Sequence, residues 1–314
     1  MPNPHRLLLA ISTIALLATH ATLAAEPVML AQQNTEGQFV DIFEGGQLVL
    51  RYSHGNVPVP EGVSAAYERG DYINLLYGLD GELLTDDYPH DHPHHRGLGW
   101  SWPVTRWKDE VRDIWAVRGV WARPVKLHRI ESGDDAAVIE AESVWRWGDK
   151  APIVREFVVI RAMRQKDDTR LIDIEVRMTA LADGVAIGGR PHGGYGGFGL
   201  RAAPVKQQKI TEHIDPAGAT PRRSWLDYSG RFQGGKGISG LTILEHPSNP
   251  DYPSEMRIYP NLNYIMPAFP GDREVPLSKT KPLVLKHRVI IHRGSADAAN
   301  LPEAWKTYAA EERK

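Results

Sequence analysis

The chain has 314 residues, a formal net charge of −2 and no cysteine. A charge this balanced makes no field for a polyanion, which argues against nucleic acid as a partner. Without cysteine there are no disulfides, thiolate nucleophiles, iron–sulfur clusters or zinc–thiolate centres.

The first element in chain order has the three parts of a secretory signal. Residues 1–6 carry one fixed positive charge, Arg6. The apolar run over 7–18 is interrupted only by Ser12 and Thr13, and small residues follow to Ala24 and Ala25. The pattern predicts cleavage after Ala24 or Ala25 and a periplasmic or secreted mature chain over 26–314. The apolar run is too short to span a bilayer, so no membrane insertion is expected after cleavage. The polar stretch 31–37 is expected to be a flexible start to the mature chain.

Strand texture follows. Residues 171–178 alternate strictly, with Ile172, Ile174, Val176 and Met178 on one face and Asp173, Glu175 and Arg177 on the other. A period of two with one polar face predicts a half-buried antiparallel strand. Similar runs occupy 137–147, 153–163, 240–245 and 283–292, separated by turn clusters around Gly133, Gly148, Gly184 and Pro250. Helical periodicity appears only at the end, where Asn300 and Glu303 read as a capping pair that opens one short helix, continued by the helix formers over 304–313. With 23 prolines, 29 glycines and no internal repeat, the chain is expected to be all-β. The predicted architecture is one large antiparallel β-sandwich domain closed by a short helix.

The densest chemical signal lies between Asp86 and Trp102, where His90, His92, His94 and His95 are four of the chain's 13 histidines. Imidazole is the common metal ligand and the usual proton carrier near neutral pH. Pro89 and Pro93 predict an extended segment, with His90, His92 and His94 facing one way and His95 the other. One reading is a divalent metal on the first three histidines, with His95 left for catalysis. The other is a proline-rich loop bonded locally, and no cofactor is then required. The spacing differs from the metallo-hydrolase signature, which needs aspartate at His94, and no glutamate follows as in cupins.

A second signal is the glycine-rich run 188–201, which carries His192 and Arg201. Part of it matches a dinucleotide fingerprint formally, but strand texture and Pro204 follow where a helix is needed. His192 and its glycines also resemble a lipase oxyanion loop, yet no Gly-x-Ser-x-Gly elbow exists. What remains is a loop where backbone can approach a ligand, or a tight corner between strands. The histidine and glycine segments are expected to form opposite walls of one sugar-sized cleft at the same end of the sandwich. Tryptophan is frequent, nine against six phenylalanines. Trp100 and Trp102 beside the histidines suit the apolar face of a sugar, or else fill the core. Asp227 and His246 stand where strand patterns yield to turns and are candidates for an acid–base pair, or ordinary turn residues.

These segments together are familiar. The run from Asp91 to Gly97 is followed by Asp113-Ile114-Trp115, by Gly197 to Arg201, by Trp225 to Gly230, and by His246 to Asn249. In this order they resemble a bacterial family described as PmoA-like, of unknown function, over residues 46–293. The membrane methane monooxygenase activity that the name suggests does not carry over, because no spanning segment follows the signal. The resemblance implies a soluble sandwich like the aldose-epimerase supersandwich, in a family that accompanies sugar oxidoreductases and glycoside-degrading proteins. Where relatives carry a further histidine after Gly97, this chain has Trp100-Ser101-Trp102-Pro103, so a role needing that histidine has no counterpart here.

The expectation is an exported carbohydrate-processing enzyme acting on a sugar, oligosaccharide or glycoside. His95, His192, Asp227 and His246 would be the acid–base candidates, and Arg96, Trp100, Trp102 and Arg201 would bind substrate. The rivals are a non-catalytic sugar-binding module and a metal-dependent enzyme built on His90, His92 and His94.

Overall fold

A computed structural model describes residues 28–311 except 35 and 37. The predicted signal and its cleavage site therefore lie outside the described residues. Among the described residues the strands form two eight-stranded sheets and one of four strands. Neighbouring strands run antiparallel. The first large sheet runs, in spatial order, Met29–Asn34, Phe39–Glu44, Gln47–Ser53, Tyr72–Asn74, Leu98–Ser101, Gly197–Arg201, Tyr264–Ala268 and Glu255–Tyr259. The second runs Val205–Ile214, Ser224–Phe232, Ser239–Glu245, Leu283–Arg293, Thr169–Ala180, Ala151–Met163, Ala136–Trp147 and Val120–Glu131. The small sheet holds Glu274–Pro276, Ala186–Gly188, Val104–Trp107 and Glu110–Arg112.

The alternation read from the sequence sets this arrangement. Ile172, Ile174, Val176 and Met178 turn into one apolar core with Leu98, Trp100, Phe198, Leu200 and Ile265 of the facing sheet. Phe198 stacks on His287 across the gap, with centroids 4.2 Å apart and planes 8° from parallel. Gly148 and Asp149 supply the positive φ values, 60° and 58°, of a tight hairpin turn between two long strands.

Three local expectations are corrected. The stretch 31–37 is not simply a flexible start, because Met29–Asn34 is an edge strand registered on Phe39–Glu44. The outer face of Thr169–Ala180 is only partly open: Asp173 and Glu175 are buried, whereas Arg177 is exposed. Arg288 grips Asp173 through contacts of 2.7 and 3.0 Å and also reaches Glu311 beyond the last helix. The last helix, Leu301–Ala310, starts after Asn300 as read, but the capping pair is not formed. Its start is held by the Asn300 carbonyl, which accepts the Glu303 N–H at 3.2 Å, with no side-chain cap. Leu301, Trp305 and Tyr308 anchor it on Trp225, Leu244 and Ile290 of the second sheet.

Candidate functional site

The histidine segment folds as consecutive turns. The His92 N–H donates to the Pro89 carbonyl at 3.1 Å, and the His95 N–H to the His92 carbonyl at 2.8 Å. The extended reading is thereby corrected, and with it the metal face of His90, His92 and His94. His90 is exposed at a turn, whereas His92, His94 and His95 gather. His95 stacks on His92 at 4.7 Å and meets the edge of His94 at 4.7 Å. Among the described residues no group of three or more His, Asp or Glu side chains is disposed to hold a metal ion. The segment ends at Gly97, whose φ of 40° and approach to the Ile73 carbonyl leave no room for a Cβ, which would sit 2.2 Å from that oxygen.

Arg201 supports the cluster from the neighbouring strand. It lies 3.4 Å from His95 Nδ1 and donates to Asp91 at 3.0 Å, while Asp91 in turn stands 3.1 Å from His92 Nδ1. Arg96 is clamped by Asp87 and the Tyr72 hydroxyl, and lies over the Tyr72 and Tyr88 rings at 4.3 and 3.4 Å. Both arginines are buried, so they hold the loop from below.

Above the loop lies a cavity of about 380 Å³. It is lined by His92, His94 and His95 of the histidine segment, by Asp113, Trp115 and Arg118, by Arg190 and Tyr195 of the glycine loop, and by Tyr259, Tyr264 and Met266 as floor. Trp115 stands edge-on to His95 at 5.8 Å and lies 5.6 Å from Tyr195 and 5.7 Å from Tyr264. Strand alternation explains the floor: Ile265 points into the sandwich core, while Tyr264 and Met266 belong to a separate apolar cluster with Trp115. The cavity therefore sits on the outer face of the first sheet, and not at its end as expected. Leu98–Ser101 and Gly197–Arg201 are antiparallel, so the loops preceding them leave from opposite ends and reach the cavity across the face.

Burial lowers the His95 pKa to about 2, with His94, His92 and Arg201 adding repulsion. Burial, then His92, Arg118 and Arg69, lower His94 to about 4. Both imidazoles are neutral at physiological pH and offer one donor and one acceptor each. Burial raises the Asp113 carboxyl, against the pull of the Ala116 N–H and of Arg118 and Arg190. Burial also raises Tyr264, which keeps its phenolic proton.

The structure brings together only part of the expected set. His192 is exposed at the tip of the glycine loop with φ of 60°, and that loop reaches the cavity through Arg190 and Tyr195 instead. Asp227 is sealed in the second sheet, bonded to Thr242 and His292 at 2.8 Å each and to Ser229. His246 packs beside Tyr308 of the last helix, with Nδ1 2.7 Å from the Ser248 hydroxyl. Trp100 and Trp102 are core residues: their indole N–H groups donate to Glu156 and to the Phe269 carbonyl at 2.9 Å. The indole at the cavity is Trp115. Asp113, Arg118, Arg190, Tyr195, Tyr259 and Tyr264 escaped sequence reasoning as functional residues. Asp113 stood in a family-like motif without a role, and Tyr264 carried no signal beyond strand texture.

Among known proteins, the model of DUF6807, described as a family of unknown function, matches residues 40–306. No curated protein and no solved structure matches the chain.

Proposed function

We propose that this chain, which belongs to the DUF6807 family, is an exported carbohydrate-processing enzyme that works on a sugar or glycoside by acid–base chemistry in the cavity above His95. One observation carries the reading. Two neutral imidazoles and a carboxyl raised by burial converge with an indole and three phenol rings on one sugar-sized space. Trp115 and Tyr195 suit a ring face, while the histidines and Tyr264 suit its hydroxyls. Asp113 is the proton carrier in this reading, since burial raises its carboxyl and so eases its uptake of a proton. His95 is a neutral hydrogen-bonding group, and Arg201 and Arg96 are positioning residues. Export is supported by the three-part N-terminus. Kinship to PmoA-like proteins and to the aldose-epimerase supersandwich belongs to the same proposal and is supported by the order of the shared motifs.

The experiment is an NMR screen of the full purified chain against monosaccharides and oligosaccharides, read for new anomeric signals and for line broadening. Turnover that Asp113→Asn abolishes is the expected result. Neither turnover nor binding of any sugar would overturn the reading. A sugar-binding module is the second reading, favoured by how far burial lowers His95. It predicts binding without turnover that survives Asp113→Asn.

A further inference from the structure

We propose that the sugar held in this cavity carries a carboxylate, read by Arg118 and Arg190; the substrate is a hexuronic acid, free or at the end of a glycoside. The inference rests on the carbohydrate reading above and narrows it to one substrate class.

What sets these two guanidiniums apart is their place: both line the cavity without a protein partner among the described residues. Arg96, Arg112, Arg201 and Arg257 each lie within ion-pair distance of a carboxylate. Among the described residues Arg118 and Arg190 have no ion-pair or side-chain hydrogen-bond partner, although both line the cavity and are exposed. Their backbones are nonetheless fixed. Arg118 exchanges hydrogen bonds of 2.7 and 3.1 Å with Asp113 across a turn, and the Arg190 carbonyl accepts the Gly193 and Gly194 N–H groups at 3.0 and 2.7 Å. Each side chain thus starts from a hydrogen-bonded turn in a different segment of the chain and lines the same space.

Among the lining residues two guanidiniums face one carboxyl, that of Asp113, and both lower its pKa by their charge. A neutral sugar would leave that positive excess unmatched, whereas a carboxylate matches the planar fork of arginine and accepts two parallel N–H bonds. Trp115 and Tyr195, with ring centroids 5.6 Å apart, line the same space as the two arginines and the histidines. At about 380 Å³ the space suits one pyranose ring with its charged substituent at the arginine side and its hydroxyls toward His94 and His95.

The test is calorimetric titration of the full chain with glucuronate, galacturonate, glucose, galactose and acetate. The expected result is a uronate that binds at least tenfold tighter than its neutral parent sugar, more weakly as salt rises. R118Q and R190Q should each weaken uronate binding roughly tenfold, with R118K restoring part of the loss. Both side chains are exposed, so unchanged thermal melting is expected and separates lost contact from lost fold. Neutral sugars binding as tightly as uronates, unaffected by R118Q and R190Q, would overturn the carboxylate while leaving the carbohydrate reading intact. Acetate binding as tightly as the uronates would overturn it in favour of a bare anion site. Failure of every sugar would overturn both readings.

Discussion

Two regions of this molecule pair imidazole with carboxylate, and access separates them. Around His95 the groups are borne on turns, and Asp113, His92, His94 and His95 all line open space. Around Asp227 they are borne on paired strands: Asp227 lies opposite Thr242, and His292 opposite Gly240. Both Asp227 oxygens are taken by side chains that are themselves buried. A buried polar group saturated by its neighbours locks strand register and has nothing left for a ligand. The same residue types become a strut where strands bracket them and a site where turns lift them over an outer sheet face.

The comparison breaks first at Asp227. Asp227→Ala strands His292, Thr242 and Ser229 in the core, and unfolding in urea should report a loss of about 3–5 kcal/mol. A fully stable Asp227→Ala protein with no turnover would move the site to the second sheet. Next is Asp113→Asn, which should lower kcat by about 10²–10⁴ if Asp113 carries the proton, with a much smaller change in the urea midpoint. A turnover number within twofold of the parent would leave the cavity as a binding site only.

A pH series sharpens the difference further. His94 and His95 have folded pKa values of about 4 and about 2, below the unfolded value of 6.5. The unfolded chain therefore takes up protons first, so the stability they contribute is present above pH 6.5. It is lost as pH falls, through about pH 4 for His94 and on toward 2 for His95. Each histidine adds a slope of up to about 1.4 kcal/mol per pH unit in its window. Chemical denaturation between pH 7 and 4 should show the decline, and His94→Gln should flatten it; an unchanged slope in that variant would deny His94 its buried, neutral state. The smallest effect is expected at His192. Replacing it by glycine relieves the left-handed backbone but frees the unfolded chain, so stability should shift by less than about 0.5 kcal/mol, with sugar binding unchanged. A large loss of binding in His192→Gly would bring the tip of the glycine loop into the site.

Local pattern was enough for the class of fold. The alternation at Ile172, Ile174, Val176 and Met178 and the turn pair Gly148-Asp149 need only neighbours in sequence to be read. The same holds for the cap at Asn300 with the helix formers after it, and for the prolines of the histidine segment. Local pattern failed where a side chain's role depends on what lies across from it. Trp100 and Trp115 look alike in sequence; strand alternation sends the first to Glu156 in the core, whereas the hairpin of Val104–Trp107 and Glu110–Arg112 returns the chain so that the second joins the cluster on the outer face. His95 meets Arg201 over a separation of 106 residues, because Leu98–Ser101 pairs with Gly197–Arg201, and Tyr264 arrives because that strand pairs in turn with Tyr264–Ala268. The sequence by itself determined an all-β chain with turns rich in histidine and glycine, since periodicity and turn chemistry are properties of adjacent residues. Which of those residues share a cavity was decided by tertiary structure alone, because strand order places groups together over distances that no local period encodes.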